Sequence, residues 1–239
     1  MIRYFLVLIS LLTCLTSNAQ FDQVSGRFGI NGKVKLTKKL VLNTGIQTRA
    51  HLFNSRYTSS NVSIEAGYRI SKSVKVGISY RNLMQPNNYA ILDGKNQTFR
   101  NRFQSELSIS PLVWLNWDEF LDLEVRTLLQ YEHFKFKRNQ LVWRNRIKVQ
   151  PVLEKSRLTP YLSAEVFYRL NQFEYFIGDE LETTGLLNEF RYSLGTEVKI
   201  TKNDALDIGV MLRDFQTLRP AHAVIQLTYI HDFGRPFKN

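Results

Sequence analysis

Eleven short segments of this chain alternate apolar and polar residues with a period of two, and this pattern restricts the fold more than any other feature. Successive side chains of an extended strand point to opposite faces, so period two gathers the apolar groups of each segment on one side. Phe28, Ile30, Val34 and Leu36 share a face against Asn31, Lys33 and Lys35. Leu40, Leu42, Ile46, Ala50 and Leu52 do the same against Asn43, Gln47, Arg49 and His51. The series continues through segments beginning near Val62, Val74, Phe99, Leu121, Trp143, Leu162, Phe190, Leu206 and Ala223. Repetition on this scale predicts an all-β, antiparallel fold. No apolar run approaches the roughly 18 residues of a membrane-crossing helix, although hydrophobic residues make up 44% of the chain.

The first nineteen residues stand apart from the pattern. Arg3 is the only charge in them, and residues 4–15 form a largely apolar run of about a dozen, the length of a signal-peptide core. Ser17-Asn18-Ala19 places small residues at the positions a signal peptidase reads. The expectation is a cleaved leader over residues 1–19 and one β domain over residues 20–239. Cleavage after Ala19 removes Cys14, the only cysteine, so the mature chain has no thiol chemistry. A lipoprotein reading of Cys14 is disfavoured by the preceding Thr13, where Gly or Ala is usual.

Alternation by itself suits both a soluble sandwich and a barrel in lipid. Two features point to lipid. The polar faces are densely ionic with mixed signs, as in Glu65/Arg69, Glu106/Arg102, Glu124/Arg126, Glu165/Arg169 and Glu197/Lys199, and such charges inside a narrow barrel must be paired. Tyr80, Phe99, Tyr131, Trp143, Tyr168 and Phe190 lie where the apolar faces meet longer connections, which predicts an aromatic girdle. Short turns at Lys38-Lys39, Ser71-Lys72 and 201–204 alternate with long connections over 84–97 and 171–187, as in outer-membrane barrels whose long loops face outward. Such barrels normally have an even number of strands. Twelve is therefore expected, with ten as the alternative and a hidden strand sought in 20–26 or 171–187.

The chain carries a formal charge of +11, or +10 once Arg3 leaves with the leader. The basic residues are spread along strands rather than gathered with stacking aromatics on a recognition element, which argues against nucleic acid. The expected setting is a salt-bridged interior. Within it, Arg100, Arg102, Arg144, Arg146 and Arg191 form a candidate basic cluster, answered by Glu65, Glu106, Glu124, Glu165 and Glu197. The repeated Arg-Asn-Arg at 100–102 and 144–146 puts paired guanidiniums on one face, able to clamp a small anionic solute or to answer neighbouring carboxylates.

No catalytic or metal-binding residue is assigned, and no cofactor. His51, His133, His222 and His231 do not combine with a serine at the spacing of a barrel hydrolase. No Gly-x-Ser-x-Gly elbow, metal-spaced histidine pair or phosphate loop occurs.

Four stretches are similar to one family of outer-membrane proteins. They are KLTKKLVLNTGIQTR (35–49), QLVWRNR (140–146), TPYLSAEVFYRL (159–170) and NEFRYSLGTEVKI (188–200), with Trp143-Arg144, Pro160-Tyr161, Glu165 and Arg191-Tyr192 as the marking residues. The chain resembles the domain-of-unknown-function 2490 family, common in Bacteroidetes-type bacteria. The resemblance implies an outer-membrane β-barrel in a Gram-negative cell and carries over no catalytic residues.

The expectation is thus a non-enzymatic outer-membrane barrel, either structural or a narrow anion-preferring channel. Its partners would be outer-membrane lipid and, during biogenesis, the barrel-assembly machinery. Two other classes compete with it: an outer-membrane lipid hydrolase with an unrecognised site, and a soluble periplasmic barrel that binds a small ligand as lipocalins do.

Overall fold

The computed structural model describes residues 23–52, 57–86, 97–134, 139–153, 156–171, 174–177, 180–183, 187–215 and 222–234. The expected leader over 1–19 lies outside them. The strands are β1 (Gln23–Lys35), β2 (Leu40–His51), β3 (Tyr57–Arg69), β4 (Val74–Pro86), β5 (Gln97–Ile109), β6 (Leu121–Phe134), β7 (Gln140–Pro151), β8 (Leu158–Arg169), β9 (Glu174–Ile177), β10 (Glu180–Thr183), β11 (Leu187–Lys199), β12 (Asp204–Phe215) and β13 (His222–Asp232). Eleven of them close into a barrel in which β1 lies between β2 and β13, and β8 pairs directly with β11. The short β9–β10 hairpin stands outside that sheet, within the long connection between β8 and β11.

The barrel strands coincide with the eleven alternating segments, so the expected count of twelve is corrected to eleven. The even-number rule assumes antiparallel pairing all the way round. Here β1 and β13 run parallel, from Gln23 beside His222 to Lys33 beside Asp232, and one parallel seam lets an odd number of strands close. The start of β1 therefore lies at the long-loop end and the end of β13 at the short-turn end.

Three of the short turns share one device. A hydroxyl at the first position accepts the backbone N–H groups two and three residues on. Thr37 Oγ1 takes Lys39 and Leu40, Ser71 Oγ takes Ser73 and Val74, and Thr201 Oγ1 takes Asn203 and Asp204. Such side-chain caps satisfy backbone donors that the ladder leaves open. Another connection at this end, between β5 and β6, is longer. It contains a single 3-10 turn, Pro111–Val113, and presents Trp114, Trp117 and Phe120 on the surface.

The two faces of the sheet reverse the usual partition. Ile30, Ile46 and Val62 are register partners across β1, β2 and β3, and all three are exposed on the outer face. The inner face holds buried Ser25, Ser59, Asn61, Gln104, Gln130, Glu132 and Glu189. One inner close approach shapes the wall. Gly195 of β11 faces Tyr161 of β8 and Gly209 of β12, and a Cβ at Gly195 would stand 2.6 Å from the Tyr161 hydroxyl and 2.7 Å from the Ile208 carbonyl oxygen. The two glycines make room for that ring, whose hydroxyl donates to Asp207 at 2.9 Å.

Candidate functional site in the barrel interior

Alternation along each strand sends Arg100, Arg102, Arg144, Arg146 and Arg191 into the barrel, where each meets a carboxylate. Arg100 and Arg102 reach Glu132 at 3.0 and 2.5 Å. Arg144 reaches Glu165 at 2.8 Å, and Arg146 reaches Glu124 at 2.6 Å. Arg191 reaches Glu189 at 2.7 Å and lies 4.0 Å from Glu165. The predicted acids also face inward. Glu65 receives Lys75 and Asn43, Glu106 lies 3.4 Å from both Lys75 and Arg126, and Glu197 lines a cavity described below.

Apart from Arg191–Glu189 on β11, the ion pairs run between strands rather than along one strand as the sequence suggested. Glu106 meets Arg126 of the next strand, while Arg102 turns to Glu132. Neighbouring strands bring opposed side chains closer than positions two or four apart on a single strand.

Sequence reasoning missed the two carboxylates at the centre of this arrangement. Glu132 and Glu189 are each only 3% exposed, and each is shared by two arginines, Glu189 by Arg191 and by Arg213 at 2.6 Å. Glu132 is also tied into an amide chain. Gln104 donates to Gln130 at 2.8 Å, and Gln130 donates to Glu132 at 2.5 Å. Phe167 lies between two cations, with the Arg191 and Arg144 guanidinium carbons 3.9 and 4.5 Å from its ring centre. Inward-pointing Leu83, Val142, Met211 and Val224 add apolar packing in the same long-loop half. These side chains pack that half of the interior from β4 round to β13.

The short-turn half is hollow. A cavity of about 540 Å³ extends to the β11–β12 turn and is lined by polar groups including Asn43, Gln47, Asn61, Glu65, Arg81 and Lys199. Beyond the cavity lining, toward the long-loop end of the β1–β2 wall, Arg27 of β1 stands in register opposite Arg49 of β2. Arg27 donates to Gln226 at 3.0 Å and Arg49 to Gln47 at 3.5 Å, and neither has a carboxylate within ion-pair distance among the described residues.

The six predicted girdle aromatics all point outward. Tyr80, Phe103 and Tyr131 are register partners across β4, β5 and β6, with the Tyr80 and Phe103 rings 5.1 Å apart. Phe99 is exposed on the same face of β5. Trp143 packs on Tyr168 at 5.6 Å and donates to Thr127, and Phe190 stacks on Tyr192.

The histidines fall on both faces. His133 and His231 lie outside, His231 bonded to Asp204 at 2.7 Å. His51 and His222 face inward at the long-loop rim with Ser25 between them, 2.7 Å from His222 Nε2 and 3.4 Å from His51 Nδ1. Sequence spacing could not reveal this contact, because Ser25 and His222 meet only across the seam. Ser25 is 4% exposed and presents little surface to a substrate. Among the described residues no three His, Cys, Asp or Glu side chains gather as a metal site would require.

The fold and interior define a closed, eleven-stranded β-barrel with an ion-paired core. The chain belongs to the family described as protein of unknown function (DUF2490), whose model matches residues 28–222. No curated protein matches the chain.

Proposed function

We propose that the protein is an integral β-barrel of a Gram-negative outer membrane, exported by the leader at 1–19 and without enzymatic activity. One observation carries the reading: large apolar side chains such as Ile30, Ile46, Val62, Ile78 and Leu162 are exposed around the outside, while the buried positions hold Gln104, Gln130, Glu132 and Glu189. Water would penalise that partition and hydrocarbon would favour it, since apolar area removed from water gains about 25 cal/mol per Å². The outward aromatics fit the interfacial positions of a barrel in lipid. The packed long-loop half of the interior supports a structural role without an open pore. Carbonate extraction of cell envelopes is the test. Retention in the membrane pellet is expected; release into the supernatant would overturn the reading in favour of a soluble ligand-binding barrel.

A second reading, a narrow anion-preferring channel, is favoured by the sharing of Glu132 and Glu189 between two arginines each, which leaves the interior with surplus positive charge. Conductance of the refolded protein in a planar bilayer separates the two. Silence from folded protein supports the structural role, and stable steps with anion preference support the channel.

A further inference from the structure

Each arginine of the predicted basic cluster meets a carboxylate, whereas two arginines on the opposite wall meet none among the described residues. Arg27 and Arg49 are directly opposed across β1 and β2, an arrangement that brings Cβ atoms to about 5 Å and destabilises like charges. They donate to neutral amides, Arg27 to Gln226 and Arg49 to Gln47. The Arg191 and Arg213 charges act on both of them unfavourably, and Arg81 adds to the repulsion on Arg27. Arg81 and Gln47 line the cavity, which therefore reaches from the short-turn end to the amide that receives Arg49. Among the described residues the Nε atoms of Arg27, Arg49 and Arg81 are buried with no hydrogen-bond partner, a state shared by the carboxylate-paired Arg102, Arg144 and Arg146. Glu65, the acid on the neighbouring strand, holds Lys75 and Asn43, and its charge also acts favourably on Arg81.

Two arginines at opposed positions, with no carboxylate of the described residues within ion-pair distance, are completed by an anion from outside. Planar guanidinium forks match the oxygens of phosphate in pairs, and a partly enclosed setting strengthens such bonds. We propose that the barrel interior binds a small soluble oxyanion, phosphate or a phosphate monoester, between Arg27 and Arg49, entering through the cavity past Arg81. The site depends on the closed barrel and not on its membrane location, so loss of either idea leaves the other testable.

The test is calorimetric titration of inorganic phosphate into the refolded full-length barrel in detergent at physiological salt, folding being checked by heat-modifiable gel mobility. Saturable binding is expected, weakened about a hundredfold in R27Q/R49Q through loss of two charge-assisted contacts. The same titration of R146Q, whose arginine is already held by Glu124, should match the parent. If the double variant does not fold, R49Q alone should still weaken binding about tenfold. No saturable uptake by folded protein, or equal affinity in the arginine variants, would overturn the proposal. Uptake of short-chain phosphatidic acid without uptake of inorganic phosphate would also overturn it, by moving the ligand to a lipid headgroup.

Discussion

Lys35 of the first strand donates to Asp232 of the last at 2.7 Å, across the seam that closes the barrel. Lys33, the register partner of Asp232, lies 3.9 Å from the same carboxylate. The pairing marks the one place where neighbouring strands run in the same direction, and the odd strand count depends on it.

Cysteines placed across that seam report its direction. In a Cys14→Ser background, Lys33→Cys with Asp232→Cys puts two thiols on register partners that face the same side, within the geometry a disulfide accepts. Oxidation should link them and change the gel mobility of the unfolded chain until reductant is added. Absence of the link in folded protein would contradict a parallel seam in this register.

The outer face responds to charge in a way that separates lipid from water. Ile46 is 59% exposed and flanked by Ile30 and Val62. Ile46→Lys should cost about 2–4 kcal/mol if the site faces the middle of a bilayer. On a water-exposed surface the same change should fall within about 0.5 kcal/mol. Urea titration of the folded fraction in lipid vesicles measures the difference.

The inner face should show the opposite sensitivity. Glu132→Gln leaves Arg102 buried without its carboxylate, and breaking a buried pair in this way costs about 3–5 kcal/mol. Asp232→Asn, at the partly exposed seam pair, should cost less than about 1 kcal/mol. Unfolding midpoints of the two variants, compared with the parent, give the ranking; similar losses would contradict the division between a packed interior and a solvated seam.

Much of the sheet was legible because alternation is a local property. Each segment found by period two became a barrel strand, and the residues named for each face lie on that face. The strands run further than the pattern toward the long-loop end, as in β3, where Thr58, Ser59, Ser60 and Asn61 carry no apolar signal. What was illegible depends on neighbours. The identity of the pairs is set by register between strands, so Glu132 took Arg100 and Arg102 while Glu106 took Lys75 and Arg126. The isolation of Arg27 and Arg49 shows only once β1 meets β13 and β2. The exposed Trp114, Trp117 and Phe120 were missed because the β5–β6 connection has no strand period to place them.

The chain holds three tryptophans: Trp143 stands on the outer face of β7, while Trp114 and Trp117 lie exposed in the β5–β6 connection. With Trp114→Phe and Trp117→Phe, the remaining fluorescence of Trp143 reports the outer face alone, and quenching by lipids brominated along their chains tests the membrane reading most directly. Protein refolded in such vesicles should lose most of its tryptophan emission while remaining shielded from aqueous iodide. Emission untouched by brominated chains and quenched by iodide would contradict a barrel whose apolar outside faces lipid.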